Sequence, residues 1–336
     1  MSGRGPRSPH AESVSVMSAI ASSGGPVLKR LLVPLDGSRL AECVLPVAGS
    51  LATRLQAELT LLHVMERAAP PTVHGDRHLT VAGEAEAYLA EVASRIGVPG
   101  AMVGRHVHPN EEGDVAKSII DHAADLGADL IVLSTHGGGG ARRVLFGSVA
   151  QQVLRGGTRP VLLIRPPGGP TPGDPGTFDL RRVLVPLDAS PASEAALPVS
   201  QILVQRYGAE VHLLRVVPTL ATISGERASA ARLVPTAAAA SLDLEEAEAK
   251  RHIEALASRL RSTGLRVVAT VSRGEPAQGV LEEAARLGAE LIVMATHGRA
   301  GIDAVFSGSV ASRVMAKFPR PILLIRSPRP DPAGAA

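Results

Sequence analysis

The segment Ser134-Thr-His-Gly-Gly-Gly-Gly-Ala-Arg-Arg-Val-Leu-Phe-Gly-Ser148 returns later in the chain as Ala295-Thr-His-Gly-Arg-Ala-Gly-Ile-Asp-Ala-Val-Phe-Ser-Gly-Ser309. Such a repeat confines the chain to two copies of one supersecondary unit, because each copy has the same apolar pattern to bury. With 336 residues there is room for two domains of ordinary size. Each copy of the segment follows an apolar run, Leu130-Ile-Val-Leu133 or Leu291-Ile-Val-Met294, and precedes a helix-like stretch opening at Gly147-Ser148 or Gly308-Ser309. Strand, glycine loop, helix is the order that binds phosphate.

Around these segments, continuous apolar runs alternate with helical patterns, which indicates parallel strands covered on both faces. Strands are expected at about 30–35, 58–65, 101–107, 130–134 and 160–165, and again at 182–187, 210–217, 265–271, 291–295 and 321–326. Helices fall between them, including 114–126, 276–287, 81–97 and 241–263. The series predicts an α/β chain of two tandem, doubly wound domains, at 29–166 and 181–327. The Pro- and Gly-rich stretch within 167–180 reads as a linker, residues 1–28 as a disordered tail and 328–336 as a second tail. Residues 66–80 and 218–240 lack periodicity and read as surface loops, with Ala237 to Ala240 opening the next helix.

Composition excludes several classes of function. Hydrophobic residues make up 45% and charged ones 20%, as in a soluble globular protein, and no run of eighteen apolar residues could cross a membrane. The net charge of +3 is dispersed among carboxylates and forms no basic stripe, so no nucleic-acid partner is implied. The first residues contain no apolar core of a signal peptide, which makes a cytoplasmic location the expectation. Cys43, the sole cysteine, has apolar neighbours and reads as a small buried helix residue.

Phosphate sites need backbone N–H groups aimed at the ligand, and glycines permit the close approach. Gly137, Gly140 and Gly147 supply that in one copy, and Gly298, Gly301 and Gly308 in the other. Ser148 and Ser309 are placed to cap the following helix and to turn a hydroxyl toward a phosphate oxygen. Neither copy is a Walker loop. A second constellation ends the first strand of each unit: Pro34-Leu-Asp36-Gly-Ser38 and Pro186-Leu-Asp188-Ala-Ser190. If the strand order is 3-2-1-4-5, these aspartates stand beside the glycine loops at the switch point of the sheet. Asp36 and Asp188 then either accept from a nucleoside or form an Asx-type cap; both readings stay open. His136 and His297 repeat as well, as a general base or phosphate donor or as residues that order the loop.

Taken together, Leu-Val-Pro-Leu-Asp-Gly-Ser, Leu61-Leu-His-Val64, Gly113 before a helix, Ser-Thr-His-Gly-x9-Gly-Ser and a closing Arg-Pro-Val-Leu-Leu-Ile resemble the universal stress protein family in its tandem bacterial form. The nucleotide-binding members carry Gly-x2-Gly-x9-Gly-Ser/Thr. Here Gly137 and Gly298 match the middle glycine and Gly147-Ser148 and Gly308-Ser309 the end, while Ser134 and Ala295 replace the first glycine. The resemblance implies that Asp36 and Asp188 contact the nucleoside and that the backbone at Val64 and Val216 faces adenine. It also implies a five-stranded parallel sheet per unit, an intramolecular pseudo-dimer of the two domains, and a possible homodimer.

The ligand expected on these grounds is ATP, with Mg²⁺, bound by a stress-response or regulatory protein with no catalytic residues assigned and little or no catalysis. A slow ATP hydrolase or nucleotidyl transferase of the same superfamily is one alternative, and a nucleotide-independent dimerisation module another. Arg142 and Arg143 in the first loop face Asp303 and Ala304 at the same places in the second, which has Arg299 instead. Tighter ATP binding is therefore expected in the first unit.

Overall fold

The computed structural model describes residues 27–96, 103–135, 147–166, 178–223, 228–229, 233–296 and 310–326. The first unit contains β1 (Arg30–Pro34), α1 (Leu45–Leu55), β2 (Glu58–Glu66), a hairpin of β3 (Thr72–Val73) and β4 (Asp76–Arg77), α2 (Ala82–Ile96), β5 (Val103–Glu112), α3 (Val115–Asp125), β6 (Leu130–Ser134), α4 (Ser148–Gly156) and β7 (Val161–Ile164). The second contains β8 (Arg182–Pro186), α5 (Ala196–Tyr207), β9 (Glu210–Val217), α6 (Pro235–Ser262), β10 (Arg266–Arg273), α7 (Pro276–Leu287), β11 (Leu291–Thr296), α8 (Val310–Lys317) and β12 (Ile322–Arg326).

The strands lie in the order β5-β2-β1-β6-β7 and β10-β9-β8-β11-β12, the 3-2-1-4-5 arrangement in both units, with parallel pairing inside each. The two sheets join where β12 pairs antiparallel with β7, Leu323 opposite Leu162, which gives a single ten-stranded sheet. Successive strand residues point to opposite faces, so each strand feeds two cores. Leu31, Val33, Leu59, Leu61, Val132 and Leu162 pack on one face with α1 and α2, whose counterparts α5 and α6 continue that core. Leu32, Leu62, Ile131, Leu133 and Leu163 pack on the other with α3 and α4, continued by α7 and α8. Burial of this kind contributes about 1.5–3 kcal/mol per enclosed leucine. It explains why the strands read as uninterrupted apolar runs.

Departures from the sequence reading are local. The third strand of the first unit runs on to Glu112, because β2 shifts register between Val64 and Glu66 and then pairs Glu66 with Glu112. Residues 66–80 are not structureless: they hold the β3–β4 hairpin, where Thr72 pairs with Arg77. Helix α6 begins at Pro235, whose fixed φ suits a first helical position, and so takes in the Ala237–Ala240 run. Cys43 lies in a 3₁₀ turn, Ala41–Val44, and is half-buried. Residues 1–26 of the first tail, 167–177 of the linker and all of the second tail lie outside the described residues, and among the described residues no helix is long and apolar enough to cross a membrane.

Candidate functional site

Beyond the carboxyl ends of β1 and β6, where the order of strands reverses, lies a cavity of about 330 Å³. Pro34, Asp36, Val64, Ser134, Gly147 and Ser148 all line it, joined by Gly113, Asp114 and Gln152. Strand periodicity puts Val64 on the same face as Leu62, beside α3, while Asp36 leaves the sheet two residues past β1. Six of the residues expected at the first site are thus brought to one place. His136 and Gly137 lie outside the described residues.

Asp36 closes a tight turn. Its Oδ1 accepts from the Ser38 N–H at 2.9 Å and from the Ser38 hydroxyl at 2.6 Å, and Ser38 Oγ in turn accepts from the Ala41 N–H at 3.1 Å. The Asx-type reading is therefore correct for one oxygen. The other, Oδ2, is 3.7 Å from Nε2 of His74 at the tip of the β3–β4 hairpin. Gly37 makes the turn possible with φ +88, a conformation that a Cβ disfavours. The hairpin is bound over this corner by Asp76, whose Oδ2 accepts from the Arg39 N–H at 2.9 Å.

One expectation fails at the loop's exit. Ser148 does not cap α4; Gly147 is the N-cap, no side-chain cap bond is made, and Ser148 is the exposed first helical residue. The chain enters the helix one residue earlier than the pattern suggested, so the N-cap is a glycine with no side chain to offer the first-turn N–H groups next to the cavity. The neighbouring helix α3 is capped, by Asp114 Oδ1 accepting from the Lys117 N–H at 2.9 Å.

The cavity also has polar lining that the sequence did not single out: His63, Glu66, His74 and His78. His63 is 1% exposed, with Nδ1 bonded to the Leu35 carbonyl at 2.8 Å. Burial pushes its imidazole below the ordinary value; the Leu35 carbonyl opposes this and His78 reinforces it, which keeps the ring neutral at pH 7. His78 is 4% exposed and lies 3.7 Å from the Glu66 carboxylate. His63 Nε2 and His78 Nδ1 are both buried without a hydrogen-bond partner. His63 could have been found from register alone, since it follows Leu62, the partner of Pro34. His74 and His78 belong to a hairpin too short to leave a periodic signal.

The second unit repeats the frame with different chemistry. Pro186, Asp188, Val216 and Ala295 hold the equivalent strand-end positions, while His297, Gly298, Gly308 and Ser309 lie outside the described residues. Asp188 Oδ1 accepts from the Ser190 N–H at 2.9 Å and its hydroxyl at 2.6 Å, but here the aspartate is exposed. Arg215 stands where the first unit has His63, because Pro186 pairs with Leu214. Glu275 replaces Asp114 as the helix cap and forms a two-pronged pair with Arg313, 2.7 Å on each prong. Arg142, Arg143, Asp303 and Ala304, which set the expected difference between the loops, fall outside the described residues.

Comparison with known proteins agrees on one family. The model of the universal stress protein family matches residues 28–165 and again residues 179–326. A universal stress protein of Mycolicibacterium smegmatis is 29% identical over 308 residues, covering 88% of this chain and 96% of that protein. The universal stress protein YxiE of Bacillus subtilis is 28% identical over 152 residues, 41% of this chain and all of the relative's length. The crystal structure of a universal stress protein from Archaeoglobus fulgidus shares the fold with a TM-score of 0.64 at 20% identity, over 88% of this chain and 98% of that one.

Proposed function

Because the chain belongs to the universal stress protein family, we propose that it is an adenine-nucleotide-binding regulator of a stress response, with ATP as the ligand and little turnover. The observation that carries this reading is the cavity at the switch point of the first unit, where Asp36, the Val64 strand end and the Gly147 helix start converge. In open α/β sheets ligands bind at this place. A ribose or base donor suits Asp36, and phosphates suit the N–H groups at the glycine-capped start of α4, where the helix dipole adds partial positive charge.

Among the described residues no group of three His, Cys, Asp or Glu side chains is set to hold a metal. Mg²⁺ would come to this site with the phosphates and would need few ligands from the protein, with Asp36 kept for the nucleoside. The cation would neutralise phosphate charge; the protein's share is to fix the turn and the helix start. The pairing of β7 with β12 supports an intramolecular pseudo-dimer of the two units.

Urea unfolding with and without Mg-ATP tests the proposal. A ligand bound only to the native state adds about 2.7 kcal/mol at a hundredfold excess over Kd. A shift of that order together with nucleotide retained in native mass spectrometry is the expected result. No shift and no retained nucleotide would leave a nucleotide-independent module, and steady release of ADP or AMP would make the protein an enzyme.

A further inference from the structure

At the seam between the units, two arginines reach across in opposite directions. Arg165 follows β7 and donates from Nη2 to the Met315 and Ala316 carbonyls, at 2.7 and 2.9 Å, in the last turn of α8 of the second unit. Arg326 ends β12 and donates from Nη1 to the Arg155 and Gly157 carbonyls at the end of α4 of the first unit. A guanidinium satisfies carbonyls that the helix itself leaves open and complements the negative end of its dipole.

Each arginine is also tied to the loop of its own unit. Thr135, the threonine of Thr-His-Gly, donates from its N–H to the Ile164 carbonyl at 2.7 Å and from its hydroxyl at 3.3 Å; Ile164 immediately precedes Arg165. Thr296 makes the matching hydroxyl bond to Ile325, the residue before Arg326, at 3.4 Å. The helices that the arginines grip are the ones that follow the repeated Gly-Ser in the sequence, and α4 is only nine residues long. At 1.5 Å per residue it spans about 13 Å, a rigid rod between the seam and the cavity.

We propose that Arg165 and Arg326 are crossed positioning residues: each holds the nucleotide-site helix of the opposite unit, so that each site is completed by the other unit and the two are energetically coupled. The idea rests on the nucleotide reading of the sites, though the mechanical link does not. Coupling of this sort runs through contiguous bonded elements, here the arginine, the helix end it grips and the helix that leads back to the cavity.

The test is titration of the full chain with Mg-ATP in two backgrounds: Asp188→Ala, which leaves the first site, and Asp36→Ala, which leaves the second. Arg326→Met is expected to weaken the first site roughly five- to tenfold and spare the second, and Arg165→Met to do the reverse. Arg326→Lys, which keeps a cation at the helix end, should recover part of the loss. A purely structural role would lower both affinities together or neither, and either result overturns the proposal. Hydrogen exchange at the 151–154 amides, which bond within α4, reads the link without nucleotide. Faster exchange there in Arg326→Met supports it even if the wild type binds no Mg-ATP, an outcome that would sink the nucleotide reading alone; unchanged exchange overturns it.

Discussion

Replacing Gly37 with alanine should destabilise the first unit by about 2–3 kcal/mol, from two separable causes. Gly37 has φ +88, and an L-residue in the left-handed region costs roughly 1–2 kcal/mol. A Cβ there would also sit 2.9 Å from both Cδ1 and Cγ of Leu79, nearer than real Cβ contacts come. Leu79 is half-buried, so it can yield, and the overpacking term belongs at the low end of the usual ~1–3 kcal/mol. The double variant Gly37→Ala/Leu79→Ala isolates the steric part: in the Leu79→Ala background the cost of Gly37→Ala should fall to the backbone value of about 1–2 kcal/mol. The second unit supplies the opposite experiment, because the equivalent Ala189 already carries φ +65. Ala189→Gly should therefore stabilise by about 0.5–1 kcal/mol, after allowing for the extra chain entropy of glycine. Urea unfolding followed by circular dichroism gives the free energies, and hydrogen exchange assigns each transition to a unit. A Gly37→Ala effect of the same size with and without Leu79 would refute the steric part, and a neutral one the whole argument.

Two further outcomes follow from groups near the sites. Burial, opposed by a hydrogen bond with Ser134, raises the Cys43 thiol to about 11, so alkylation by iodoacetamide should be slow at neutral pH and climb about tenfold per unit up to that region; a plateau near pH 8.5 would contradict it. For Glu275, burial alone would raise the carboxyl, but the Gln278 and Ala277 N–H groups and the Arg313 guanidinium outweigh it and hold the group below its ordinary value. A depressed folded value means stability that is present above the unfolded pKa, about 4.3, and is lost as pH falls through the folded one. The stability gap between wild type and Glu275→Gln should thus shrink below pH 4.3; a gap constant from pH 6 to 3 would count against the pair.

Much of the frame was legible because it is periodic. Two-sided burial forces continuous apolar strands such as Leu130–Leu133, and α7 was bounded correctly at 276–287 because a capping glutamate and Pro276 open it. The duplicated aspartate and glycine elements marked the strand ends for the same reason. What was hidden depends on pairing and not on pattern. His63 acquires its place from the register of β2 on β1, and His74 from a two-residue hairpin whose tip holds φ +52. The Ser148 error has a related cause, since Gly-Ser fits a helix start at either residue and backbone geometry alone decides. Arg165 and Arg326 end apolar runs and look like ordinary solvated residues in sequence. Their bonds exist only because β7 meets β12 antiparallel, and nothing in either repeat encodes the direction in which the copies join.

That junction has a consequence for how the duplicated sites diverge. Antiparallel pairing of β7 and β12 directs the carboxyl ends of the first unit's strands opposite to those of the second, so the two switch points lie at opposite ends of the shared sheet. A change at one switch point therefore does not touch the other, and the two are free to differ. They do: Asp36 is half-buried beneath His74 where Asp188 is exposed, His63 stands against Arg215, and Gln152 lines the first cavity where Arg313 is engaged by Glu275. At the seam the opposite holds, for a substitution there alters both units at once, and the chain keeps the same arginine, a grip on the carbonyls at the helix end, with Arg155 and Ala316 at equivalent places, and the same threonine hydroxyl bond on both sides. Symmetry is retained where the units share atoms and lost where they do not, the pattern expected if the seam transmits between two sites of unequal affinity.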